Sequence, residues 1–246
     1  MTAILTDGAG TILSYSAAAG RSPDRAISQD AHHLQPEIGL FLVADGLGGH
    51  DDGDLASRAV AEIVRRVVAT GHSLDERCRQ IEAALQAINR ALRREATRLG
   101  NDALVGSTVA VLVVDDGQAA GMWVGDSRIY LLRAETLVQL TRDHSFAAEM
   151  GVAGPRGQIL TRAIGSADEL DVDGFILPIE DDDTLLVCSD GVTKALDAAG
   201  IAGLLAEPID GLADRLLARA VVGGGRDDMT AVVVRIEAAL TGGGRR

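Results

Sequence analysis

Residues 106–140, GSTVAVLVVDDGQAAGMWVGDSRIYLLRAETLVQL, decide the fold. Residues 108–114 are apolar and rich in β-branched side chains, the composition of a strand. Residues 121–124 and 128–133 read as two further strands, joined by the tight turn Gly125-Asp126-Ser127. Residues 137–140 follow as a fourth, so this part of the chain is a meander. Upstream, Leu55, Ala59, Ile63 and Val67 recur at helical spacing, and Ile81, Leu85, Ile88 and Leu92 do the same. Ser73 with Glu76 three residues on predicts the N-terminal cap of that second helix, and Gly100 its end. Earlier still, residues 41–44 form a short apolar run that stops at Asp45-Gly46. Downstream lie a buried run at 184–188, a helical pattern over 201–221 interrupted by Pro208, and a Val-rich strand at 230–236. This is not the regular βαβα order of a parallel sheet. It predicts an α+β fold in which helices cover stacked antiparallel sheets.

The composition agrees with one sizeable core. The chain has 246 residues, 47% of them hydrophobic and only 2% aromatic, so Ala, Val, Leu and Ile must build that core. One domain over residues 1–240 and a glycine-rich flexible tail over 241–246 are expected. A formal charge of -13 disfavours nucleic acid and anionic lipid as partners. Cys78 and Cys188 are too few for a disulfide framework. No apolar stretch is long enough to span a membrane, and MTAILTDGAG at the N-terminus lacks the features of a signal peptide. A cytoplasmic protein is expected. Its one lysine is Lys194; the other basic side chains are arginines.

Four aspartate positions share one context. Asp45 follows FLVA, Asp126 follows MWVG, Asp190 follows LLVCS, and Asp227-Asp228 precede MTAVVV. Each lies where an apolar strand meets a turn. One Asp-Gly pair is ordinary turn chemistry. Four such sites converging at strand ends would crowd their charges unless cations bound among them. Oxygen ligands without Cys or His at zinc spacing point to Mn²⁺ or Mg²⁺.

Several segments carry a family resemblance: RAISQDA from Arg25, VADGLGGH from Val43, GST from Gly106, GDSRIYLL from Gly125, TRDHS from Thr141, LTRAIG from Leu160, SDG from Ser189 and RDDMT from Arg226. In this order and spacing the chain resembles the metal-dependent (type 2C) protein phosphatases, above all their bacterial branch, over roughly residues 16–236. The resemblance implies their fold, a four-layer α-β-β-α sandwich of two antiparallel sheets flanked by helices. The resemblance implies hydrolysis of phosphoserine and phosphothreonine by a metal-activated water at a two-metal centre. It implies that Asp45 bridges both ions, that Asp190 and Asp227 complete one site, and that the Gly46 carbonyl serves the other. It implies that Arg25 grips the substrate phosphate. Gln29, Asp30 and Asp228 fall around that shell, with Asp30 supporting the metal-bound water network. Phosphorylated proteins, a Ser/Thr kinase and its substrates are the implied partners, and a monomer the implied state.

The chain departs from the family pattern at several points. Gln29 stands where an acid is common. Leu47 stands where many eukaryotic members have a histidine, and His50 does not inherit that histidine's role. His144 reads as structural, fixing a turn. Relatives can bind a third ion through the equivalent of Asp126 with Asp190, but Lys194 occupies the position of a further acid, so two or three ions stay open. The flap, about 145–160, is short and contains Gly and Pro, which suggests mobility. Residues 169–180, ELDVDGFILPIE, imitate a calcium loop, yet Pro178 and the missing flanking helices make residues 175–177 a strand instead. The rival to an active enzyme is a catalytically weak phosphatase-like regulatory domain that binds phosphoproteins. A second rival, a partner-switching stress phosphatase, is disfavoured by the presence of Arg25.

Overall fold

Continuous apolar strands arise here because both faces of each strand are covered. The computed structural model describes residues 3–6, 11–48, 52–67, 72–100 and 104–237. Gly49, His50 and the tail over 241–246 lie outside the described residues. The chain begins with strands β1 (Ala3–Thr6), β2 (Ile12–Gly20), β3 (Asp30–Gln35) and β4 (Leu40–Leu47). Helices α1 (Asp52–Val67) and α2 (Leu74–Leu99) follow, then β5 (Gly106–Ser107), β6 (Val109–Asp115), β7 (Gln118–Val124), β8 (Arg128–Arg133) and β9 (Thr136–Gln139). After a short α3 (Phe146–Met150) come β10 (Asp173–Pro178), β11 (Thr184–Cys188), α4 (Asp190–Ala195), α5 (Ala198–Leu205), α6 (Leu212–Val222) and β12 (Met229–Glu237).

One sheet has the strand order β1-β2-β12-β11-β8-β9, and the other β10-β7-β6-β4-β3 with β5 beside β4. All pairings are antiparallel. Alternation along β4 shows how one run serves two cores. Phe41 and Val43 face the space between the sheets, with Leu112, Ile129, Val187 and Val232. Leu40, Leu42 and Ala44 face outward onto Val60, Val64, Ile81 and Leu85 of α1 and α2. The other sheet turns Leu186, Ala231 and Val233 outward onto Ile201, Leu212 and Leu216. Each large side chain fully buried this way contributes about 1.5–3 kcal/mol. The result is the four-layer sandwich.

The structure adds to and adjusts the sequence reading. Strands β2 and β3 carry too many small or polar residues to read as strands. The predicted helix over 201–221 is two helices, α5 and α6, parted around Pro208, and Asp197 Oδ1 caps α5 by accepting from Gly200 N–H at 2.8 Å. Ser73 caps α2 as expected, its side chain accepting from Glu76 N–H at 3.3 Å. The imitation calcium loop contains β10, an edge strand whose last residue is Pro178, where a missing N–H is tolerated. The short flap contains local structure: Ser145 caps α3, Gly151 ends it, and Pro155–Gln158 form a 3-10 turn.

The β8–β9 hairpin turns through Ala134 and Glu135, both left-handed at φ 46° and 63°. Non-glycine residues pay for that conformation, and Asn-Gly is the favoured pair in such a turn. The double substitution Ala134→Asn/Glu135→Gly should stabilise the fold by about 1 kcal/mol, raising Tm by roughly 2–4 °C. Thermal unfolding followed by circular dichroism checks this; an unchanged or lower Tm would refute it.

Candidate active site

Antiparallel pairing brings five strand ends to one edge of the sandwich. Asp45 lies near the end of β4, and Asp30, the first residue of β3, is its direct cross-strand partner. Like charges in that relation repel. Asp126 lies two residues past the end of β7, Asp190 two past β11, and Asp227-Asp228 just before β12. Glycines let these backbones crowd together. A Cβ on Gly46 would lie 2.0 Å from the Gly53 carbonyl oxygen, and one on Gly191 2.0 Å from that of Asp228.

The neighbouring polar groups hold the cluster in place. Thr108 N–H and Ser107 Oγ donate to the Asp45 carbonyl, and Asp45 N–H donates to Thr108 Oγ1 at 3.0 Å. Thr108 Oγ1 also shares a 2.7 Å bond with Ser127 Oγ, beside Asp126. Ser189 Oγ donates to Asp30 Oδ2 at 2.7 Å and accepts from Thr230 N–H at 2.9 Å. His144 Nδ1 accepts from Gly125 N–H at 3.1 Å, so the ring proton resides on Nε2, 3.3 Å from Asp173. Burial and Arg162 hold this imidazole below its ordinary pKa, as a neutral acceptor requires.

Asp228, expected around the metal shell, is buried among hydrogen-bond donors. It accepts from Ser22 N–H at 2.7 Å, Gln29 N–H at 2.8 Å and Arg25 Nη1 at 2.7 Å, pinning the loop that carries Arg25. Gln29 is buried too, with Nε2 donating to the Gly48 carbonyl at 3.4 Å. Arg25 Nη1 also donates to Asp227 Oδ1 at 3.0 Å. The Arg25 side chain is 39% exposed and lies on an open cleft that Lys194, Arg226 and Asp227 also line. The sequence reading assigned no role to Arg226 or Ser189; their signal was adjacency to the RDD and SDG motifs.

The electrostatics report the crowding. Burial first, then the charges of Asp30, Asp190, Asp126 and Asp227, push Asp45 far above the ordinary carboxylate range. Burial and neighbouring carboxylates push Asp30 and Asp126 to about 7 each. Burial raises Asp190 as well, against the pull of Lys194. Burial would also raise Asp227, but Lys194 and Arg25 hold it below its ordinary value.

These carboxylates fit hard divalent cations. The donors are oxygens, and Oδ1 of both Asp30 and Asp190 is buried without a partner. Among the described residues no three His, Cys, Asp or Glu side chains already close around one point. Instead Asp227 turns Oδ1 to Arg25 and Oδ2 to Lys194, and Asp190 turns Oδ2 to Lys194.

A pH dependence follows for the metal-free protein. Asp30, Asp45 and Asp126 keep protons in the folded state that the unfolded chain loses near pH 4. Stability should therefore fall as pH rises from about 4 to about 7. Asp227 shifts the other way, and its contribution is lost only as pH falls below the ordinary carboxylate range. In EDTA the Tm should be higher at pH 5 than at pH 7.5, and Mn²⁺ should flatten the difference. A Tm that rises with pH in EDTA would contradict the crowding.

A sequence profile described as "Protein phosphatase 2C" matches residues 20–221. The chain belongs to the protein phosphatase 2C family. It is 31% identical over 228 residues to "Serine/threonine phosphatase stp" of Listeria innocua serovar 6a, covering 82% of this chain and 90% of that one. Among solved structures it resembles "PppA, a key regulatory component of T6SS in Pseudomonas aeruginosa", with TM-score 0.86 and 32% identity, covering 91% of this chain and 97% of that one. It also resembles the catalytic domain of the serine/threonine protein phosphatase PstP in complex with two manganese ions, with TM-score 0.81 and 28% identity, covering 93% and 100%. The protein phosphatase 2C fold accounts for both sheets and the helices that flank them. No helix among the described residues is long and apolar enough to cross a membrane.

Proposed function

We propose that the aspartate-lined edge is the catalytic centre of a metal-dependent protein serine/threonine phosphatase. The observation that carries this reading is the convergence of Asp45, Asp30, Asp126, Asp190 and Asp227, with an arginine-bearing cleft beside them. Asp45, Asp190 and Asp227, with the Gly46 carbonyl, would hold two Mn²⁺ or Mg²⁺ ions. When bound, these supply a water acidified towards hydroxide and charge stabilisation at the phosphoryl oxygens. Asp30, fixed by Ser189, faces that centre as a hydrogen-bond acceptor. Arg25 is held by one nitrogen, Nη1, on Asp227 and Asp228, which leaves its remaining N–H groups to a phosphomonoester dianion in the cleft. Arg226 adds positive charge to the same cleft. Water and the phosphomonoester yield inorganic phosphate and the free serine or threonine hydroxyl.

Phosphoproteins are the substrates, with a Ser/Thr kinase and its targets as the physiological set. The chain acts as a monomeric catalytic domain over residues 1–240 in the cytoplasm, with residues 145–160 as its flap. Gln29 and Lys194 are the only features favouring a catalytically weak regulatory domain, and Arg25 with the aspartates outweighs them. Purified protein with Mn²⁺ should hydrolyse p-nitrophenyl phosphate and a phosphothreonine peptide, and EDTA should abolish both activities. Turnover that persists in EDTA would overturn the metal-centre reading.

A further inference from the structure

The chain's one lysine stands inside its acidic centre. Lys194 follows Asp190 by one turn of α4, so both side chains leave the same helix face. Its Nζ lies 2.5 Å from Asp190 Oδ2 and 3.1 Å from Asp227 Oδ2. It therefore engages one oxygen of each of two aspartates assigned above as metal ligands. Asp126 senses the same ammonium, which opposes the upward push from Asp190 and Asp143. A third divalent ion on the Asp126–Asp190 side would approach an ammonium already hydrogen-bonded to Asp190.

We infer that Lys194 is a resident cation of the metal centre, a positioning residue that takes the place of a third ion beside Asp126 and Asp190 and limits the centre to two. The side chain engages Asp190 Oδ2, while Oδ1 is buried without a hydrogen-bond partner. It holds Asp227 Oδ2 while Arg25 holds Oδ1, so both oxygens stay oriented before an ion arrives. This inference rests on the two-metal reading.

Mn²⁺ binding to the whole protein separates the two claims. Free Mn²⁺ is followed by electron paramagnetic resonance during titration at pH 7.5, for wild type, Lys194→Met, Lys194→Gln and Lys194→Arg. Lys194 is 43% exposed, so these variants should fold, and circular dichroism confirms it. Wild type and Lys194→Arg should bind two ions. Lys194→Met and Lys194→Gln should bind a third, at a concentration at least tenfold below any third event in wild type. Two ions in wild type with unchanged stoichiometry in both neutral variants would overturn the role of Lys194 and leave the two-metal centre standing. No Mn²⁺ bound by wild type would overturn both.

Discussion

Asp45→Asn should lower kcat/KM on a phosphothreonine peptide in Mn²⁺ by at least about a thousandfold, equivalent to roughly 4 kcal/mol of transition-state stabilisation. The same substitution should raise the Tm of the metal-free protein. Asp45 sits opposite Asp30 in the β3–β4 register, buried among Asp190, Asp126 and Asp227. Without an ion, burial and those neighbours of like sign make Asp45 keep a proton that the unfolded chain loses near pH 4, which costs stability at neutral pH. Asn keeps the shape without that cost, so the empty fold gains stability while the proposed centre loses a ligand. Its backbone should hold, because Thr108 and Ser107 bind main-chain atoms of residue 45, not its carboxylate. Steady-state kinetics and calorimetry in EDTA give the two readings. Turnover within tenfold of wild type would remove Asp45 from the centre.

Arg77→Ala should destabilise the protein by about 3 kcal/mol, near the lower end of what breaking a buried ion pair costs. For a chain of this size that is a fall in Tm of about 10 °C. Arg77, in the first turn of α2, is only 4% exposed. Its guanidinium pairs with Asp115 at the end of β6 and donates to the Ile38 carbonyl in the 3-10 turn before β4. It thereby ties the helix layer to the sheet. Alanine leaves a void and an unpaired Asp115, which retains some solvent contact, hence the lower end of the range. kcat of the folded variant should be unchanged, since Arg77 contacts none of the site residues. Arg77→Met/Asp115→Leu should recover most of the loss, because neither charge is then stranded. Urea unfolding of the three variants decides it; a loss below about 1 kcal/mol for Arg77→Ala would show the pair to be peripheral.

Both predictions draw on features legible to different degrees in the sequence. Strands β4, β6, β11 and β12 showed themselves because burial on two faces leaves unbroken apolar runs. Strand β2, ILSYSAAAG, has no such run; its state comes from nine consecutive residue pairs with β12, from the other end of the chain. Strand β3, DAHHLQ, is polar because it is an edge strand. Helix α4 has six residues, too few to display a helical period. The flap's Gly and Pro pointed to mobility and gave no sign of the helical turn that local caps at Ser145 and Gly151 build there.

The aspartates at strand ends followed from sequence alone, because alternation and turn chemistry are local and repeat within a few residues. Their separate tasks did not. Asp228 engages the amides of Ser22 and Gln29, and Lys194 spans Asp190 and Asp227. Those are long-range contacts except for the Asp190–Lys194 turn, and Coulomb energy depends on distances through space that only the packed sheets establish. The sequence by itself determined the main strands, the long helices and the place of the carboxylates at strand ends, because those patterns are local. Only the tertiary structure decided which oxygen faces a cation of the chain and which remains buried for an ion.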